Sequence, residues 1–170
     1  DGDFEVVVGS GDGKYYAFHI GDGELTPMSG WPQSTTGLCY ASPALVDIDG
    51  NDHGQLEIVG YCRDTYTLSN NKVYIWNHDG TYCAGWPQQI ISYTYGSPVI
   101  ADVDGDNFAE IFAVGGPRVY GWNHDSSSLS GFPRTLSIST NSSPALADDD
   151  NDGFYSVFAA DMGGTLYRWE

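Results

Sequence analysis

Ser97-Pro98-Val99-Ile100-Ala101-Asp102-Val103-Asp104-Gly105-Asp106-Asn107-Phe108-Ala109-Glu110 joins a short apolar run to a loop that carries acids at its first, third, fifth and ninth positions. Carboxylates at alternate positions of a turning backbone can converge their oxygens on one point. Gly105 permits the turn, and Glu110 closes the set from the start of the following strand. Hard oxygen ligands in this number suit Ca²⁺ at roughly 2.3–2.6 Å better than Mg²⁺, which keeps more of its water. Because Asp, Asn and Gly are also ordinary turn residues, a solvated acidic turn is the competing reading of any single copy.

The loop recurs. Asp47, Asp49 and Asn51 open a second copy, which reaches Glu57 after an insertion of two residues. Asp148, Asp150 and Asp152 open a third, in which Ser156 stands where the closing acid should be, so this site is expected to be the weakest. Asp1-Gly2-Asp3-Phe4-Glu5 matches the last five positions of the loop, with Asp1 and Glu5 as its candidate ligands. The chain thus opens inside a motif, the mark of a processed or excised piece.

Other signatures keep the same period. Ser42-Pro43, Ser97-Pro98 and Ser143-Pro144 are spaced by 55 and 46 residues, as are Gly30-Trp31-Pro32, Gly85-Trp86-Pro87 and Gly131-Phe132-Pro133. Each repeat reads as four short strands. Strand A precedes the acidic loop and strand B follows it (Glu5 to Gly9, Leu56 to Cys62, Glu110 to Val114, Tyr155 to Ala160). Strand C alternates large and small residues, as in Lys72-Val-Tyr-Ile-Trp76 and Arg118-Val-Tyr-Gly-Trp122, the period of a sheet. Strand D starts at the Trp-Pro or Phe-Pro pair, where a proline suits an edge strand. No stretch has the period of a helix.

An array of such repeats predicts an all-β fold of β-propeller blades, each of four antiparallel strands. About three and a half blades are expected as one array over 1–170: a partial blade 1–38, blades 39–93 and 94–139, and a partial blade 140–170, with fourteen strands in all. Large Trp and Tyr residues of strands C and D are expected to fill the gaps between blades. An open arc leaves apolar faces bare, which calls for the remaining blades of a longer chain or a second copy of this one.

The combination Ser-Pro-Ala-Leu-Val-Asp47-Ile-Asp49-Gly50-Asn51, Glu57-Ile-Val, Val73-Tyr-Ile-Trp76-Asn-His-Asp79-Gly80 and Gly85-Trp86-Pro87 resembles the FG-GAP/VCBS-type repeats, the calcium-binding blades of integrin α-subunit propellers and of many secreted microbial proteins. The resemblance covers the whole chain. It implies one Ca²⁺ shell from Asp47, Asp49, Asn51 and Glu57, another from Asp102, Asp104, Asp106 and Glu110, and a third from Asp148, Asp150 and Asp152. It also implies a backbone carbonyl ligand at the seventh loop position, which is Phe108 or Phe154, and in the inserted loop the residue near His53.

Composition narrows the function. Six Lys plus Arg against 23 Asp plus Glu leave no basic stripe for phosphates, so nucleic acid is excluded as a partner. The formal charge of −17 is concentrated in the loops, and three Ca²⁺ would reduce it to about −11. No run of about 18 apolar residues exists to span a membrane. Cys39, Cys62 and Cys83 do not have zinc-site spacing. In the proposed strand order Cys39 and Cys62 fall at the same end of one blade, as disulfide candidates in an oxidising, extracellular compartment. Cys83 falls at the other end and remains unpaired or bonds elsewhere.

No catalytic motif stands out. His78 and His124 recur in one Trp-Asn-His-Asp turn per repeat and read as turn residues. The paired carboxylates surround one cation, so neither is available as a general acid. Tyr61, Tyr66 and Tyr82, near the long connection Arg63 to Asn71, are candidates either for stacking on sugars or for packing between blades. Asn141-Ser142-Ser143 is an N-glycosylation acceptor weakened by Pro144. The expected function is a non-catalytic extracellular module for protein or carbohydrate recognition or adhesion. The alternatives are an accessory part of a larger secreted enzyme and a subunit of a self-assembling surface structure.

Overall fold

A computed structural model describes residues 4–170 except 49, 51–54, 65, 66, 68, 69 and 93. Among the described residues there are fifteen strands and no helix: β1 Phe4–Ser10, β2 Lys14–Gly21, β3 Glu24–Pro27, β4 Gln33–Ser34, β5 Ala44–Val46, β6 Glu57–Cys62, β7 Asn71–Trp76, β8 Gln88–Ile90, β9 Val99–Ala101, β10 Glu110–Gly115, β11 Arg118–Trp122, β12 Arg134–Thr135, β13 Ala145–Ala147, β14 Ser156–Ala160 and β15 Leu166–Trp169. They form four antiparallel sheets in which sequence neighbours pair: β1-β2-β3 with β4 also on β2, β5-β6-β7-β8, β9-β10-β11-β12, and β13-β14-β15.

One strand is additional to the fourteen expected. β3 exists because Asp22 and Gly23 both take positive φ, 52° and 81°, the pair that a tight two-residue hairpin requires. The chain therefore folds straight back on β2, from Gly21↔Glu24 to Phe18↔Pro27. In the next two repeats the corresponding turns are wider, and only single bridges form, Trp76↔Tyr82 and Trp122↔Ser128.

Period-two alternation divides the core between successive sheets. In β7, Tyr74 and Trp76 pack towards the first sheet, on Tyr15, Ala17 and Trp31. Val73 and Ile75 pack the other way, with Ile111, Ala113 and Trp122 of the third sheet. β10 repeats the division, with Phe112 and Val114 facing Val157 and Ala159 of the fourth sheet. The aromatic residue two positions before the last strand of one sheet meets the aromatic residue that ends the third strand of the next. Trp31–Trp76, Trp86–Trp122 and Phe132–Trp169 lie 5.8, 5.7 and 6.3 Å apart, all edge to face. The aromatics thus fill the gaps between sheets, as the sequence predicts.

Two further repeat signatures are inter-sheet ties. The Ser42 N–H donates to Ser97 Oγ at 3.0 Å and the Ser97 N–H to Ser143 Oγ at 2.9 Å, so each Ser-Pro pair receives a bond from the one before. The hydroxyls of Tyr74, Tyr120 and Tyr167 accept from Thr36, Ile91 and Ser137 N–H of the preceding repeat. The first strands also come close to one another, β5 to β9 and β9 to β13. Cys39 and Cys62 form a disulfide that ties the entry of the second repeat to the end of β6. The Cys83 thiol lies apart from this bond and donates to Asn77 Oδ1 at 3.3 Å.

Candidate metal centres

The acidic loops join the first and second strands of their sheets. Register places the closing residues in equivalent positions: Glu57 pairs with Val46, Glu110 with Ala101 and Ser156 with Ala147, each the last residue of the preceding strand. The insertion before Glu57 is therefore absorbed inside the loop.

In the central loop, Asp102, Asp104 and Asp106 bring one oxygen each within 4.8 Å of one another. The loop's own amides shape this cluster. Gly105 and Asn107 N–H donate to the two oxygens of Asp102 at 2.7 and 3.0 Å, and Phe108 N–H donates to Asp106 Oδ1 at 2.8 Å. Gly105 and Asn107 take φ of 79° and 71°. In the third loop the same two left-handed positions are held by Asn151 and Gly153, at 62° and 94°, with the residue types exchanged.

Glu110 is fully buried. Its Oε2 accepts from Val103 N–H at 2.8 Å, whereas its Oε1, also buried, has no hydrogen-bond partner. The three aspartates converge as a hard divalent ion requires, and Glu110, outside their 4.8 Å cluster but close enough to be repelled by them, offers the buried carboxylate oxygen that would complete the set. Burial, the largest cause, pushes the Glu110 carboxyl up from 4.5 to about 7; the Val103 N–H bond opposes this, and repulsion from Asp104, Asp106 and Asp102 adds to it.

This shift gives a signed pH dependence. Between about 4.5 and about 7 the calcium-stripped folded chain keeps a proton that the unfolded chain has released, so its stability falls as pH rises through that window. The expected loss is at most about 3 kcal/mol, and Glu110→Gln flattens it. Urea unfolding of both variants at pH 5 and pH 8 measures the difference, and equal slopes would remove Glu110 as its source.

The first loop shows the same closing contact, with the Glu57 Oε2 accepting from Ile48 N–H at 2.9 Å. Asp47 Oδ1 is buried without a hydrogen-bond partner. Asp49, Asn51 and His53, the other candidate ligands of this loop, lie outside the described residues. The same holds for Asp1. Glu5 is on β1, on the surface, and pairs across the strand with His19 at 3.1 Å.

In the third loop Asp148, Asp150 and Asp152 also converge within 4.8 Å. Its closing position differs in a way the loop's own sequence does not reveal. Arg168 on β15 donates from Nε to Ser156 Oγ at 3.1 Å and to Asp149 Oδ1 at 3.0 Å, and its Nη2 lies 3.9 Å from Asp150. Ala17, Ile75 and Gly121 occupy the corresponding place on β2, β7 and β11. A guanidinium thus arrives where the glutamate is lost, and its charge opposes a metal ion there.

The loops touch in series. Phe108 of the central loop packs on Gly50 of the first, and Phe154 of the third on Gly105, where a Cβ would come within 2.7 Å of the ring. Phe108 also stacks on His124 at 4.1 Å, so this histidine packs against the loop in addition to forming its own turn. The indole of Trp31 donates to the backbone carbonyl of His78 at 2.9 Å. Of the tyrosines singled out in the sequence, Tyr61 is buried in the core, Tyr66 lies outside the described residues, and Tyr82 is half-exposed and stacks on Tyr74 and Trp76.

The chain matches no protein-family model and no curated protein sequence. Among solved structures, the crystal structure of the V. cholerae biofilm matrix protein Bap1 resembles it over 99% of its length, with a TM-score of 0.57 and 22% sequence identity. The likeness is one of fold, and the chain spans 27% of that protein.

Proposed function

We propose that the chain is a non-catalytic, extracellular, calcium-stabilised segment of a β-propeller that serves recognition or adhesion. The observation that carries the calcium reading is the buried, unpartnered oxygen of Glu110 beside Asp102, Asp104 and Asp106. Asp47 and Glu57 form the corresponding part of a second site, and Asp148, Asp150 and Asp152 a third, weakened by Arg168. The ion supplies charge compensation that lets the first two strands of each sheet meet around acids that otherwise repel.

Support for propeller blades comes from the sequence-ordered stacking of sheets, the aromatic contacts in every gap and the close approach of β5, β9 and β13. The Cys39–Cys62 disulfide fits an oxidising compartment. The likeness to a biofilm matrix protein fits an adhesive setting outside the cell. On the outer sheets, Val8 and Leu25 at one side and Met162 and Leu166 at the other are exposed apolar residues. They suit further blades or a second copy of the chain.

Native mass spectrometry with calcium and after chelation tests this. Two firmly bound Ca²⁺ per chain are expected, with a third retained more weakly, and the observed mass distinguishes a monomer from a closed multimer. A chain that takes up no calcium would overturn the metal reading.

A further inference from the structure

A shallow groove of about 320 Å³ lies at the end of the strands opposite the acidic loops. It is lined by Asp12 and Lys14 of the β1–β2 hairpin, Ser34 of β4, Thr36 after it, and Asp64 beyond β6. Its volume is at the lower end of the range of ligand clefts, about 300–1,000 Å³. On its rim the ring of Tyr40 lies over Gly11, where a Cβ would come within 3.3 Å of it.

Tyr40 and Tyr95 hold the same place in successive repeats, two residues before the Ser-Pro pair. Both rings are exposed, at 59% and 50%. Arg63 stands between them, its guanidinium carbon 5.7 Å from the Tyr40 ring and 4.8 Å from the Tyr95 ring, and its Nη1 donates to the Tyr95 hydroxyl at 2.7 Å. The disulfide between Cys39 and Cys62 fixes the backbone next to both Tyr40 and Arg63. Two flat rings are thus held on one face beside a groove of carboxylates, an ammonium and hydroxyls.

That pairing matches the two surfaces of a pyranose. Aromatic rings cover its C–H face at little entropic cost, while carboxylates accept from its hydroxyls. The carboxylates of Asp12 and Asp64, within a chain of formal charge −17, repel a polyanion and leave a neutral sugar as the ligand. We propose that this face binds a neutral oligosaccharide, with Tyr40 and Tyr95 stacked on sugar rings and the groove holding the hydroxyls of an adjoining unit. The inference rests on the recognition reading and is independent of the metal sites.

The test is calorimetry and amide NMR on the full, calcium-loaded chain. The probes are β-1,4-linked glucose, mannose and galactose hexasaccharides, with an oligogalacturonate as the polyanion. At least one neutral probe is expected to bind saturably and to shift the amides of Gly11, Thr36 and Gly37. Tyr40→Ala and Tyr95→Ala each weaken binding about tenfold, and Tyr40→Phe retains it. Tyr82→Ala, a comparably exposed tyrosine at the other end of the strands, leaves it unchanged. Failure of every neutral probe, preference for the polyanion, or an equal loss in Tyr82→Ala would overturn the sugar assignment. A chain that binds calcium but no probe loses that assignment alone, whereas cleavage of a probe would overturn the non-catalytic reading itself.

Discussion

Raising calcium to a hundred times its dissociation constant is expected to lift the midpoint of thermal unfolding by about 10–20 °C over the chelated chain. An ion that binds only the folded state at that excess contributes about 2.7 kcal/mol per site, and two loops retain a buried closing glutamate. For a domain of this size each kcal/mol moves the midpoint by about 2–4 °C. Glu110→Gln keeps an acceptor for Val103 N–H but removes a ligand charge, so it should lose about half of the gain. Magnesium should give a smaller rise, because it dehydrates reluctantly and resists a shell made mostly of protein oxygens. Calorimetric scans of both variants in both ions measure this. A calcium effect no larger than that of magnesium would count against sites built for calcium.

Trp76→Ala is the substitution expected to cost most in the packed core, about 3–5 kcal/mol or about 6–20 °C. Trp76 is fully buried where the first two sheets meet. Its ring lies 5.1 Å from Tyr74 in a stack, 5.3 Å from Tyr15 and 5.8 Å from Trp31. Removing it opens a space lined by rings that cannot collapse, since Tyr15 is also bonded through its hydroxyl to the backbone of Tyr61. Trp76→Phe should cost well under half as much, because the indole N–H it discards is buried and unpartnered. Denaturant unfolding of the two variants and the unsubstituted chain gives the values. A loss below 1 kcal/mol for the alanine variant would mean that the two sheets are not held together by this cluster.

Much of the architecture was readable in the residues because repetition allows each copy to check the others. The strand Arg118–Trp122, and Asn71–Trp76 to within one residue of the expected Lys72 start, follow from period-two alternation, which depends only on local sequence. β3 was not legible, since the Asp-Gly pair recurs as Asp79-Gly80 in the next repeat, where only the glycine takes positive φ and the turn is wider. Among the candidate ligands, the acids of the central loop could be grouped from spacing alone. The approach of Arg168 to Ser156 could not, because it is a contact between adjacent strands across a sequence offset of 12 residues. Nor could Tyr40 and Tyr95 be separated from the packing tyrosines by residue type. The hydroxyl of Tyr61 is taken up by Thr94 N–H inside the core, while that of Tyr95 meets a guanidinium at the surface.

The phenylalanine-on-glycine contacts between acidic loops make the order of the repeats matter. Gly50 and Gly105 each accommodate a ring from the loop that follows, but Asn151, in the equivalent left-handed turn, brings a side chain of its own. A chain in which the third and fourth repeats were transposed would set Phe108 against Asn151 and leave Gly105 without its ring. The repeats share one pattern but are not interchangeable parts, and the fourth and seventh loop positions carry the address of a neighbour at both of these contacts.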